Sequence, residues 1–242
     1  MDRDRENRRG TIVFNGINGR DYGLWLQGGG TFNAPARRYN TVSIPGRNGS
    51  LTIDTGAFEE VEHVYPAFIM DDFPENVRGL RNAFLASPGY HRLEDSYHTD
   101  EYYRARYMDG LAVDVAPMAV AGTFDLRFMR DPRRFLKIGD IQVTVADGGY
   151  IENPTAFDAK PLIRVTGYGE MYVGNDKITI EQQYEYIDID CEMMDCYHGT
   201  SNANPYVEFQ KNDFPVLSPG RTGITCDQTI TRIEITPHWW RI

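Results

Sequence analysis

Three carboxylates, Asp188, Asp190 and Glu192, occupy every second position of one segment. Carboxylates that close could share a divalent cation or divide acid and base roles at a glycosidic bond. The residues between them, Ile187, Ile189, Cys191 and Met193, are apolar. Alternation with period two marks a strand with one face on a core and the other in water. Any solvated strand face produces this spacing, so the row reads as structural. Cys191, Cys196 and His198 lie close together, but C-x4-C-x-H is not the paired C-x2-C of a tetrahedral zinc site. Cys191 falls on the greasy side of its strand, which predicts a buried free thiol.

Other candidates for chemistry are weaker. Gly28, Gly29 and Gly30 are followed by no Gly-Lys-Ser/Thr and sit in no βαβ unit. No Gly-x-Ser-x-Gly elbow occurs, and His63, His91, His98, His198 and His238 are scattered. The expectation is a protein that is not an enzyme and has no catalytic residue, metal or cofactor.

Tyr97, Tyr102, Tyr103 and Tyr107 crowd a charged stretch that follows a helical pattern. Tyrosine joins apolar area to a polar tip and is enriched at protein interfaces. These four are the candidate contact residues, in preference to a platform for sugars or bases. Trp239 and Trp240 are also sugar-stacking candidates. Neighbours on a strand point to opposite faces, so at most one of them lines a given surface.

The elements that position these residues are mostly strands. Two copies of Pro-Gly-Arg-x-Gly, at Pro45–Gly49 and Pro219–Gly223, read as turns that feed strands. Phe124, Leu126 and Phe128 alternate with Asp125 and Arg127. Pro74 through Ser87 is helical, with Val77, Leu80, Phe84 and Leu85 on one stripe and Asp72 as the N-cap. Residues 137 to 160 are polar and loop-like, and a domain boundary is placed at 147/148. Several short strands at regular spacing predict β-sandwiches.

The chain has 242 residues and a formal net charge of −10, which argues against nucleic-acid binding by the protein body. Charged residues 1–10 read as a flexible N-terminus with no signal peptide. No run approaches the ~18 apolar residues of a membrane helix. Three cysteines make no disulfide framework, and folding in a reducing cytoplasm is expected.

The order of elements resembles the distal tail protein (Dit) family of siphophage-type tails. The matching residues begin with Pro45-Gly46-Arg47-Asn48-Gly49 and Leu51-Thr52-Ile53-Asp54. The helix with Leu80 and Leu85, Leu93-Glu94-Asp95 to Tyr103, and Phe124 to Phe128 ending at Pro132 follow. In the second half they are Asn153-Pro154-Thr155, Pro161 to Gly167, Tyr186 to Asp190 and Phe214 to Gly220.

The resemblance covers about residues 11 to 242. It implies a mainly β protein of two β-sandwich domains. The first, 11–147, would form a ring and carry one α-helix and a projecting hairpin; the second, 148–242, would be galectin-like. It further implies a structural virion protein at the phage tail tip, made in the host cytoplasm. As a homo-hexameric ring it would join the tail tube to baseplate or tip proteins. Arg221 departs from the asparagine often found near that turn, and no extra carbohydrate module is inserted. The alternative function is recognition of a host saccharide through the C-terminal sandwich.

Overall fold

The computed structural model describes residues 10–28, 33–70, 72–110, 114–115 and 121–242. The charged stretch 1–9, Gly29 and Gly30 lie outside them. Gly10 is buried and bridges Leu26. The chain divides into two compact units, residues 1–134 with Ile242, and residues 135–241.

The first unit runs β1 (Ile12–Phe14), β2 (Ile17–Asn18), β3 (Leu24–Leu26), β4 (Arg37–Ser43), β5 (Ser50–Phe58) and β6 (Val61–Met70). Then come α1 (Phe73–Leu85), β7 (His91–Asp95), β8 (Glu101–Tyr107), β9 (Asp114–Val115) and β10 (Ala121–Leu136). Strands pair in the order β2-β1-β7-β8-β10-β6-β3. Along β10, Phe124, Leu126 and Phe128 are buried, while Asp125 and Arg127 face out. The expected alternation is therefore present, and it fixes the register of β10 on β6 from Ala121–Met70 to Arg130–Val61.

Helix α1 starts one residue before the predicted Pro74, with proline in its first turn. Phe73, Val77, Leu80 and Phe84 are its buried stripe, at spacings of three and four. Leu85 lies off that stripe and is exposed. Asp72 stands at the N-cap position but does not cap with its side chain. Its φ of 41° turns the chain sharply, and its carbonyl accepts from the Asn76 and Glu75 amides instead.

The second unit runs β11 (Val143–Val145), β12 (Tyr150–Asn153), β13 (Leu162–Gly167), β14 (Gly169–Val173), β15 (Asp176–Ile180) and β16 (Tyr186–Asp190). It continues with β17 (Asp195–His198), β18 (Ser201–Asn202), β19 (Val207–Phe209), β20 (Gly220–Cys226), β21 (Ile230–Thr236) and β22 (Trp240–Arg241). One sheet has the order β11-β21-β13-β16-β17-β18, the other β12-β20-β14-β15-β19. Ile163, Ile189 and Ile235 of the first and Met171, Ile178 and Ile224 of the second are all buried in one core. This is a β-sandwich, and the described residues are mainly β with one α-helix. Residues 137–160, read as loop, contribute a 3-10 turn and strands β11 and β12.

Candidate interaction surface

Strands β4 and β5 form a hairpin that, among the described residues, pairs with no other strand. Every residue from Arg37 to Gly56 is exposed. The register sets its two faces, because directly opposed residues point the same way. Asn40–Ile53 and Val42–Leu51 share one face; Tyr39–Asp54, Thr41–Thr52 and Ser43–Ser50 share the other. Val42, Leu51 and Ile53 therefore make an apolar strip, each side chain roughly half exposed, backed by a polar face. At ~3.4 Å per residue the seven-residue strand β4 spans about 24 Å.

The root is tied by charge. Arg38 makes a bidentate pair with Glu59 at 2.9 and 3.2 Å. Arg37 reaches Asp54 at 2.7 Å and lies 5.1 Å over the Phe58 ring. The Gly56 amide and the Arg37 guanidinium hold the Asp54 carboxyl below its usual range. The tip uses the first Pro-Gly-Arg-x-Gly, with Gly46 and Gly49 at φ of 82° and 79°, where glycine is favoured. The second copy differs, since strand β20 already begins at Gly220.

The four tyrosines divide by strand alternation. Tyr103 opposes Leu93 and lies in the core, 1% exposed; burial pushes its phenol up to about 12. Tyr102 points the other way and is covered by the Arg92 guanidinium, 3.7 Å from its ring centre. Tyr97 is half-buried and donates to the Gly28 carbonyl at 2.8 Å. Tyr107 is half-buried against Phe84 and Phe128, and burial raises its phenol strongly.

Beside Tyr103 lies a buried polar network that the sequence did not mark. His63 stacks on Tyr65 with ring centres 4.3 Å apart. Tyr65 donates to Asp95 at 2.7 Å, and Asp95 also holds His98 Nδ1 at 3.0 Å and the Tyr97 and His98 amides at 2.9 Å. Arg134 pairs with Glu101. Arg130, 1% exposed, stacks 4.6 Å over Tyr103 and donates to the Asn33 carbonyl at 2.6 Å. Burial first, and the Arg130 charge second, lower the His63 imidazole from 6.5 to about 4. The members come from β6, β7, the β7–β8 connection, β8 and β10, so no local motif could reveal them.

The residues first considered for chemistry are each engaged structurally. Asp188 is buried and gripped by Arg164 through two bonds of 2.7 and 2.8 Å. Asp190 ends its strand by accepting the Glu192 and Met193 amides, so β16 stops short of Met193. Cys191 and Cys196 are buried and all three cysteines are free; burial pushes Cys196 up to about 12. His198 instead stacks on Tyr184 and bonds the Tyr186 carbonyl at 2.9 Å. Among the described residues no group of three His, Cys, Asp or Glu side chains is arranged to hold a metal, and no helix is long and apolar enough to cross a membrane. Trp239 is core, packed so closely that a Cβ on Gly139 would lie 2.4 Å from its amide. Trp240 stacks on Phe157 at 4.4 Å and donates to the Asp158 carbonyl at 2.9 Å.

No family model matches the chain, and no curated protein matches it in sequence. Solved structures do. One similar structure is the phage p2 baseplate in its activated conformation with Sr, at 11% identity and a TM-score of 0.52, covering 97% of this chain and 98% of that one. Another is SPP1 Dit (gp 19.1), described as a paradigm of the hub adsorption apparatus in phages infecting Gram-positive bacteria. That match has a TM-score of 0.75 at 13% identity and covers 96% of this chain and 99% of that one. The chain thus carries, almost from end to end, the fold of SPP1 Dit.

Proposed function

We propose that this protein is a structural component of a phage tail, a distal hub whose copies close into a homo-hexameric ring between the tail tube and the baseplate or tip proteins. The observation that carries the reading is the match to SPP1 Dit over nearly the full length of both chains. A domain borrowed for another task would match only in part. We assign ring formation to the N-terminal unit and a galectin-like fold to the C-terminal sandwich, with the protein residing in the virion and performing no chemistry.

The hairpin supports assembly. An isolated two-stranded hairpin is marginal in water, and this one leaves Val42, Leu51 and Ile53 uncovered. Each is already about half covered, so burying the rest on a neighbouring copy would contribute about 1 kcal/mol per side chain. A contact between different patches of identical chains closes into a ring when its rotation closes. Tyr97 and Tyr107, both partly exposed, remain proposed contact residues. The saccharide alternative would have to use the face of Trp240 that Phe157 does not cover, and a glycan array tests it.

Native mass spectrometry with negative-stain microscopy tests the ring. Six copies around a central channel are expected. A strict monomer at high concentration, even with tail-tube and tip proteins present, would overturn the reading.

A further inference from the structure

Asn-Gly occurs three times in this chain, at Asn15-Gly16, Asn18-Gly19 and Asn48-Gly49. Glycine leaves the following backbone nitrogen unhindered and free to rotate toward the asparagine side chain. That nitrogen, once it loses its proton to base, can bond to the asparagine Cγ. The tetrahedral adduct expels the side-chain nitrogen as ammonia and closes a five-membered succinimide. Water opens the ring at either carbonyl, giving aspartate or isoaspartate. The net change is one water consumed and one ammonia released, with no oxidant or enzyme needed.

Geometry separates the three pairs. Asn15 and Gly16 fill the two-residue turn between β1 and β2, at φ of 51° and 76°. The Asn15 side chain donates to Ser87 Oγ at 2.8 Å, and the Asn15 backbone N–H donates to the Arg92 carbonyl at 2.9 Å. Asn18 accepts the Arg20 amide at 3.1 Å, with backbone angles of −84° and 123°, and Gly19 behind it is buried. A Cβ on Gly19 would come within 2.6 Å of Leu24. Both asparagines must break a turn before their side chain can reach the next nitrogen.

Asn48 is held by nothing comparable. It lies at the hairpin tip, where residues 45–50 are all exposed. Nothing stands within 4 Å of where a Cβ on Gly49 would be; the same holds for Gly16, so Asn48 differs from Asn15 in its hydrogen bonds and not in space. The hydrogen bond of this turn, from the Arg47 amide to the Ile44 carbonyl at 3.1 Å, leaves out both Asn48 and Gly49.

We propose that Asn48 is a site of spontaneous deamidation in the folded protein, and that Asn15 and Asn18 are protected by their turns. The inference goes beyond the hub reading and stands without it. Its product places a new carboxylate next to Arg47, and the isoaspartate form adds a methylene to the main chain of the tip.

The test is incubation of the dilute full-length protein at neutral and mildly alkaline pH, then peptic digestion in acid, where the reaction stalls, and mass spectrometry. The Asn48 peptide is expected to gain the mass of an NH exchanged for O and to split into two chromatographic species, faster at higher pH. The Asn15 and Asn18 peptides should convert about tenfold more slowly or less, because they react only through local opening. In denaturant the three rates should converge. An Asn48 that stays intact while the denatured chain converts would overturn the proposal. So would Asn15 or Asn18 keeping pace with Asn48 in the folded chain. Asn48→Gln should silence the peptide, and a mass gain persisting there would refute the assignment.

Discussion

Acidification should weaken the N-terminal unit through His63. Its ring is buried between Tyr65 and Tyr103, with Arg130, Arg134, Asp95 and His98 as the charged or titratable groups acting on it. Its folded value lies near 4 against 6.5 when free. Between those values the unfolded chain binds the proton and the folded chain does not, so stability falls as pH falls. The stabilisation is complete above 6.5 and is lost progressively down to about 4. A shift of about 2.5 units at ~1.36 kcal/mol per unit gives a limit of about 3 kcal/mol. At pH 5 about 2 kcal/mol of it is already gone.

His63→Phe keeps a flat ring against Tyr65 but cannot take up a proton. Hydrogen exchange of strand β6 reads the opening free energy of this unit separately from the other. From pH 7.5 to 5 the parent chain should lose about 2 kcal/mol more than His63→Phe, because carboxylates titrate in both and cancel to first order. Equal slopes in the two chains would refute the reasoning. So would an imidazole of His63 that titrates near 6.5 by NMR.

Replacing both Val42 and Leu51 by threonine keeps strand preference while stripping the hairpin strip. Ring association should weaken at least about tenfold by light scattering, from the lost apolar burial, with the far-ultraviolet spectrum unchanged; an unaltered ring would remove the hairpin from the interface. Gly167→Ala should cost about 3 kcal/mol or more in the second unit. Gly167 has φ of 108°, and a Cβ there would lie 2.2 Å from the Thr229 carbonyl oxygen. Gly148→Ala, at φ of 72° with open space around it, should cost only about 1 kcal/mol. Thermal unfolding of the pair checks the contrast, which fails if both behave alike.

Alternation was the most legible signal. Phe124, Leu126 and Phe128 are buried as their spacing required, and so are Ile187 and Ile189, although Asp188 between them is buried under Arg164 instead of facing water. Signals failed where one side chain redirected the backbone. Asp190 gathers two amides and ends a strand that the apolar pattern carried on to Met193. The tyrosine segment shows a second limit. Composition marks it as aromatic, but only the pairing of Leu93 with Tyr103 tells which rings turn inward. The chain divides at Arg134/Phe135, inside the continuous strand β10 and directly after the charged run Asp131 to Arg134. The change in composition lies further on, near 147.

Arg130 joins the polar network to the segment leading into the hairpin. It lies among His63, Tyr103 and Arg134, and its outer nitrogen holds the carbonyl of Asn33, four residues before strand β4. A buried arginine is weak support for stability, since its desolvation offsets much of what it gains. Its value here is positional: it ties the segment leading into an exposed hairpin to the buried network. A proton on His63 sets a further cation beside Arg130 and Arg134 and strains that tie. If the hairpin closes the ring, acid dissociation of the ring should follow the His63 titration and not that of the Arg37–Asp54 pair at the hairpin root. Asp54 stays ionised below the usual carboxylate range, so its loss belongs to a more acidic window. The order of the two transitions separates loosening from within the core from loosening at the surface.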